Sequence, residues 1–290
     1  MGIELITNPK YWPAPAKINL FLHVTGQRSD GYHLLQTHFQ FLDYCDRLEF
    51  RLNEDAEITR LNDLPGVPVE DDLVVRAARS LARHAPPGSG VAINVEKLIP
   101  AGGGLGGGSS DAATTLVALN ELWNLGMSRA ELATLGLDLG ADVPVFVHGH
   151  AAWAEGVGEK LTPLEAVEGT VLVVHPGCSV ATADIFTHPE LTRDTPAIKI
   201  QDLGTSIVAN DCEAVTVKLY PEVERALDWL RQFGDSRMSG TGACVYALFE
   251  SISRAERAAA TMPEEWAWFV AQRRNISPLM ETLTAIGKRD

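Results

Sequence analysis

At 290 residues, 46% hydrophobic and 21% charged, the chain is long enough for one large domain or two ordinary ones built around sizeable cores. Its net charge of −14, from 24 Lys+Arg against 38 Asp+Glu, excludes the basic face a nucleic-acid binder needs and makes any bound phosphate rely on local donors. No apolar run approaches the roughly 20 residues of a membrane span, and no signal-peptide core is present. Four cysteines without C-x-x-C spacing (Cys45, Cys178, Cys212, Cys244) read as free thiols, so a cytoplasmic protein with neither nucleic-acid nor membrane partners is expected.

Residues 14–24 alternate as a strand, with Lys17 and Asn19 on one face and Ile18, Leu20 and Leu22 on the other. A glycine-bounded loop carrying Tyr32 and His33 follows, then β-like sequence through Phe50. Asp71 or Asp72 is placed to cap a helix whose apolar residues run from Leu73 to Leu81, and Pro86-Pro87-Gly88 stops it. A strand over 91–97 leads into a glycine run, after which Ala112 to Trp123 trace a helical face, with Ser109 or Ser110 as its cap. A further helix spans about Ser128 to Leu139. Pro144 then predicts extended backbone at Val143. The texture changes near residue 160, dividing the chain into two α+β units, 1–160 and 161–290. The second begins with a strand over 171–175 and a short helix over 181–186. A helical region near Asn210 and a helix opened by Pro221 come next, then a small-residue loop, 238–242, entering an apolar strand.

The densest signal is Gly102-Gly103-Gly104-Leu105-Gly106-Gly107-Gly108, six of the chain's 25 glycines in seven residues, just ahead of a helix. Converging backbone N–H groups at the positive end of a helix dipole suit a phosphate. A dinucleotide fold would put such a loop after its first strand, whereas about 100 mostly β-like residues precede it. A Walker loop needs a lysine at its end, and none lies between Lys97 and Lys160. A flexible hinge remains the plain alternative.

Two charged residues stand out. Lys17 sits within an apolar strand, either as an edge guard or as a cation steadying an anionic group. Asp142, between a helix end and a proline, is either a turn or N-cap carboxylate or a base for a hydroxyl proton. His148 and His150 have no third ligand in view, and no Gly-x-Ser-x-Gly elbow exists, so metal-site and serine-hydrolase chemistry lack support.

Three segments together resemble the GHMP kinase superfamily: Pro15-Ala16-Lys17-Ile18-Asn19-Leu20, the loop Pro100 to Ser110, and Met238-Ser239-Gly240-Thr241-Gly242. With Asp30-Gly31-Tyr32-His33 and Gly140-Ala141-Asp142-Val143-Pro144, the likeness is strongest to members that phosphorylate a methylerythritol carrying a diphosphocytidyl group, a step of the non-mevalonate route to isoprenoids. The resemblance implies an α+β, two-domain fold: an N-terminal unit like a ribosomal-protein domain and a ferredoxin-like C-terminal one. It implies ATP as co-substrate with Mg2+, metal ligands unassigned, and leaves the oligomeric state open, a homodimer included. By the same likeness Asp142 is the general base and Lys17 its partner. Lys97, Pro100, Ala101, Gly102, Gly103, Gly104, Leu105, Gly106, Gly107, Gly108, Ser109 and Ser110 bind ATP, with Lys97 near the adenine end. Asn19, Tyr32, His33, Thr182 and Phe186 bind the alcohol, the aromatic residues about its cytosine ring. Asp72 and Asp111 stand where relatives often carry Asn, so Asp72 receives no base contact and Asp111 puts a second negative charge near the phosphates. Homoserine- or mevalonate-type alcohols, and a catalytically silent nucleotide binder, are the competing readings.

Overall fold

The computed structural model describes residues 9–204 and 208–287. Two long strands open the fold, β1 (Trp12–Gln27) and β2 (His33–Asn53), paired antiparallel from Trp12↔Leu48 to Gln27↔His33. Then come β3 (Ile58–Arg60), α1 (Leu73–Ala82), β4 (Gly90–Glu96), α2 (Gly107–Leu122), α3 (Arg129–Leu137), α4 (Val143–His148), β5 (Ala152–Glu155) and β6 (Lys160–Pro163). The rest of the chain supplies β7 (Gly169–His175), α5 (Thr182–Thr187), α6 (Glu213–Leu219), α7 (Pro221–Arg231), β8 (Ser236–Met238), β9 (Val245–Phe249), α8 (Ile252–Ala259), β10 (Ala267–Arg274) and α9 (Pro278–Gly287).

Among the described residues ten strands join one mixed sheet, antiparallel except between β3 and β4. The long β2 organises it. One of its edges carries β1, while the other meets β5 at Thr37–Phe39, β10 at Phe41–Leu42 and β4 at Arg47–Asn53. Strands β10, β7, β9 and β8 then continue outward in that order. Three buried clusters fill the space around the sheet. The first packs α1, α2 and α4 on the early strands, and α9 returns to it through Leu279. The second lies beneath α6, α7 and α8 and takes in Leu22 and Val24 of β1. The third, including Ile18, Leu105, Val173 and Tyr246, sits between them.

Bulges in β1, between Pro15 and Lys17 and again between Asn19 and Leu22, explain why strict alternation fails there. Ile18 and Leu22, assigned to one face by alternation, belong to different clusters. Lys17 and Asn19 do share a face, their side chains meeting at 2.6 Å.

Helix starts follow the sequence at α1 and α3 and depart from it at α2 and α4. Asp72 caps α1 by accepting from the Val74 N–H at 2.9 Å, and Ser128 with Glu131 forms a capping box on α3. For α2, however, the cap is Gly106 in the left-handed region (φ 72°), with no side-chain cap, and Ser109 and Ser110 lie inside the first turn. Val143 is helical rather than extended. Pro144 falls in the first turn of α4, where a missing N–H costs nothing because that donor has no helical partner anyway.

Candidate active site

The glycine loop is drawn tight by neighbours far away in sequence. Asp46, fully buried in β2, accepts from the N–H groups of Leu98 (2.5 Å) and Ile99 (2.8 Å), fixing the approach from β4. Gly102 and Gly103 carbonyls then accept from the N–H groups of Ala243 (2.9 Å) and Cys244 (3.1 Å), and the Leu105 carbonyl accepts from Lys17 N–H at 3.0 Å. The Gly104 carbonyl takes the Ser239 hydroxyl at 2.9 Å and the Lys17 ammonium at 3.0 Å. At Gly104 φ is +71°, and a Cβ there would lie 2.0 Å from the Ser239 carbonyl oxygen. Only glycine fits that approach.

Beyond the loop, α2 presents its unpaired first-turn N–H groups, the arrangement that attracts a phosphate. The loop faces a cavity of about 1430 Å³, lined by residues 100–109 and by Lys17, Asn19, Tyr32, His33, Lys97, Asp142, Thr182 and Phe186. Every residue the sequence assigned to the site is there except Ser110, which is fully buried and outside the lining.

Lys17 is 4% exposed and its ammonium has three partners: Asn19 Oδ1 at 2.6 Å, Gly104 O at 3.0 Å and Asp142 Oδ2 at 3.4 Å. It does lie on a strand paired only with β2 in the sheet, yet it points inward to the loop and the carboxylate instead of guarding an edge. Asp142 occupies the N-cap position of α4 but makes no capping bond; its carboxylate turns to Lys17. The capping alternative therefore does not describe it.

At the far end, His33 stacks on Phe186 with ring centroids 5.0 Å apart and an interplanar angle of 28°. Burial, then the nearby Arg193 guanidinium, hold its imidazole below the usual range. Tyr32 is 62% exposed beside it. Thr182 meets Thr241, hydroxyl to hydroxyl, at 3.1 Å.

Lys97 is not a free cation. Its ammonium contacts Asp46 Oδ2 and, at 2.6 Å, Asp111 Oδ2. Burial opposes its charge, but the two carboxylates outweigh that and raise its pKa. For Asp111 the balance runs the other way. Complete burial, reinforced by the Asp46 charge and only partly offset by Lys97, pushes it up to about 8. Its Oδ1 is buried without a partner among the described residues. Asp72, besides capping α1, pairs with the buried Arg60 at 2.7 Å and also lines the cavity.

Sequence reading passed over three residues that shape this site. Asp46 carries a weak signal, a carboxylate inside a β-like run. Ser239 shows only as part of the small-residue loop 238–242 and Arg193 not at all, since nothing local shows that they reach Gly104 and His33.

A glycine loop at a helix N-terminus and a lysine–aspartate pair in one cavity are the parts a phosphoryl-transfer enzyme needs. The model of the GHMP kinases N-terminal domain matches residues 72–150, and that of the GHMP kinases C-terminal domain matches residues 195–267. The chain belongs to the GHMP kinases, ATP-dependent kinases of small molecules. It is 56% identical over 276 residues to a 4-diphosphocytidyl-2-C-methyl-D-erythritol kinase of Nitrosococcus oceani, covering 95% of this chain and 99% of that one. A protein of the same name from Halorhodospira halophila is 54% identical over 281 residues, covering 96% and 98%. Among solved structures, a 4-(cytidine 5'-diphospho)-2C-methyl-D-erythritol kinase superposes with a TM-score of 0.78 at 33% identity, covering 91% of this chain and 98% of that one. A mevalonate kinase at 17% identity and TM-score 0.64 shares the fold. The α+β GHMP frame expected from the sequence is the one observed. Among the described residues no helix is long and apolar enough to cross a membrane.

Proposed function

We propose that this chain transfers the γ-phosphoryl group of ATP to the 2-hydroxyl of 4-diphosphocytidyl-2-C-methyl-D-erythritol, in isoprenoid precursor synthesis by the non-mevalonate route. The observation that carries it is one cavity holding the loop, the Lys17–Asp142 pair and the Tyr32–His33–Phe186 wall. The substrate identity is supported by full-length relatives of that name above 50% identity.

In this reading the loop amides and the α2 N-terminus hold the phosphates. Asp142 accepts the proton of the attacking hydroxyl, whose oxygen bonds to the γ-phosphorus as the bond to the β–γ bridging oxygen breaks and ADP departs. Lys17 pairs with the Asp142 carboxylate and ties it to the loop through Gly104. Asn19, locked by Lys17 and by a 2.9 Å bond to Thr37 Oγ1, lines the acceptor side. Tyr32 and Phe186 flank the pyrimidine, and Thr182 stands near it. We assign residues 1–160 to the nucleotide half and 161–290 to the other, with the last helix returning to the first.

No group of three or more metal-ligating side chains is present among the described residues. Mg2+ bound with the nucleotide would have the Asp142 carboxylate and the Ser109 hydroxyl as the protein oxygens at the phosphate end, and would supply charge neutralisation that an acidic protein lacks.

The test is ADP release with MgATP and the cytidyl alcohol, comparing wild type with Asp142→Asn. The variant is expected to lose about 10²–10⁴ in kcat, the usual worth of a positioned base. Equal turnover would remove the base assignment. Turnover of homoserine or mevalonate but not of the cytidyl alcohol would replace the substrate.

A further inference from the structure

Between α5 and α6 the chain runs through residues 188–199 without helix or strand, and one side chain organises this stretch. The Arg193 guanidinium donates from Nη2 to the carbonyls of Phe186 (2.9 Å) and His188 (2.8 Å) and from Nη1 to that of Leu191 (3.1 Å). Its Nε–H points across the cavity wall to His33 Nε2 at 3.0 Å.

That last bond has a chemical consequence. A guanidinium has no acceptor, so the His33 nitrogen facing it must supply a lone pair. Nε2 therefore carries no hydrogen, the imidazole is neutral, and its one proton resides on Nδ1. The Phe186 ring stacked on His33 fixes the plane of the imidazole, and the same arginine holds the Phe186 carbonyl. Nδ1 has no hydrogen-bond partner among the described residues, and His33 lines the cavity. The wall thus offers one N–H of fixed position and fixed sense. Burial and the guanidinium both act against protonation of the second nitrogen.

We propose that Arg193 is a positioning residue: it holds His33 as the neutral Nδ1–H tautomer, and this fixed donor selects cytosine over uracil in the nucleotide part of the alcohol. The proposal rests on the cytidyl substrate put forward above. Cytosine and uracil differ at ring position N3, a lone pair in the first and an N–H in the second. A fixed donor pairs with the lone pair, whereas against uracil two donors face each other and both go unpaired. A site built around one hydrogen bond rejects an analogue that cannot make it far more strongly than an apolar pocket rejects a change of size. Without Arg193 the imidazole is free to move its proton to Nε2, and Nδ1 becomes an acceptor that uracil satisfies.

The first measurement reads the wild-type protein: long-range ¹H–¹⁵N correlation on the intact, ¹⁵N-histidine-labelled chain at pH 7, with His33 assigned by loss of its signals in His33→Gln. A protonated Nδ1 and bare Nε2 are expected; a proton on Nε2, or on both nitrogens, overturns the proposal. The second measures kcat/KM for the cytidyl alcohol and its uridyl analogue in wild type, Arg193→Met and Arg193→Lys. Wild type should prefer the cytidyl compound by about 100-fold or more. Arg193→Met should cut that ratio at least tenfold, with the ATP KM within about twofold of wild type. Arg193→Lys, which keeps a donor toward Nε2, should retain most of the ratio while raising both KM values as the carbonyl anchors loosen. Equal losses on both substrates, with the ratio and tautomer unchanged in Arg193→Met, would reduce Arg193 to a loop anchor and sink the proposal. Wild type turning over neither alcohol would overturn the substrate reading and with it the base selection, while the spectrum still decides whether Arg193 sets the tautomer.

Discussion

Replacing Lys17 by Met keeps the length of the side chain and removes its charge. The ammonium lies 3.4 Å from Asp142 Oδ2, a separation worth about 5 kcal/mol at an effective dielectric constant near 20. Asp142 is 34% exposed, so solvent screening brings the usable part to roughly 2–3 kcal/mol. Expressed in the transition state, that predicts a fall in kcat of about 30- to 200-fold. Stability should change less. The Gly104 carbonyl keeps the Ser239 hydroxyl, so the loop is still held; Asn19 Oδ1 is left buried without its partner, while the part-exposed Asp142 carboxylate turns to solvent. That loss costs about 1–3 kcal/mol, offset in part because a buried ammonium no longer has to be desolvated. The assay is steady-state ADP release under saturating MgATP and alcohol, with thermal melting alongside. A double-mutant cycle with Asp142→Asn sharpens it: two groups acting as a unit give a double variant little worse than the poorer single one. Turnover of Lys17→Met within threefold of wild type, or fully additive losses, would refute the argument that the pair works as one device.

Two further outcomes test the frame around that pair. Gly104→Ala forces a Cβ onto the Ser239 carbonyl at a φ of +71°, so melting should fall by about 4 °C or more and the ATP KM should rise at least tenfold. Gly108→Ala has nothing nearer than 3.7 Å and should leave the melting temperature in place; equal melting for both variants would show that the close approach at Gly104 is unimportant. For Asp111 the sign follows from a pKa raised to about 8 by burial and by Asp46. The protonated form is the one the fold favours, so its stabilising contribution is complete below the ordinary carboxylate range near 4 and is lost as pH rises through about 8. Asp111→Asn removes the titration, and wild type should lose at least about 3 °C relative to the variant between pH 5 and 9. Parallel melting curves over that range would contradict it.

Much of the frame can be read from the sequence because its signals are local. Asp72 and Ser128 cap the helices that follow them, and the apolar spacing of α1 needs no partner to be visible. The errors arise where two local rules compete. Pro144 disfavours helix at Val143, but it also suits a helix's first turn, and packing of Val143, Val145 and Phe146 into the first cluster decides for helix. Ser109 and Ser110 look like caps, but Gly106 reaches the left-handed region and starts the helix earlier. Arg193 was illegible for a different reason. Its role exists only because His33, 160 residues away, is folded against it, and no pattern in the stretch around it encodes that meeting.

The same distinction settles what the glycines are for. A run of six suggests a hinge when read as composition, since glycine gives the backbone its greatest freedom. Here that freedom is removed. The carbonyls from Gly102 to Leu105 are each bonded to a partner outside the loop: Ala243, Cys244, Ser239 with Lys17, and the Lys17 amide. A Cβ on Gly103 would sit 2.6 Å from Cys244 Sγ, and one on Gly106 2.7 Å from the Phe146 ring. Side chains are excluded because the surroundings press against the loop, and the loop residues themselves line the cavity. Lys17 then couples that rigid loop to Asp142 through a single ammonium, so the glycine loop and the carboxylate are positioned by one buried charge.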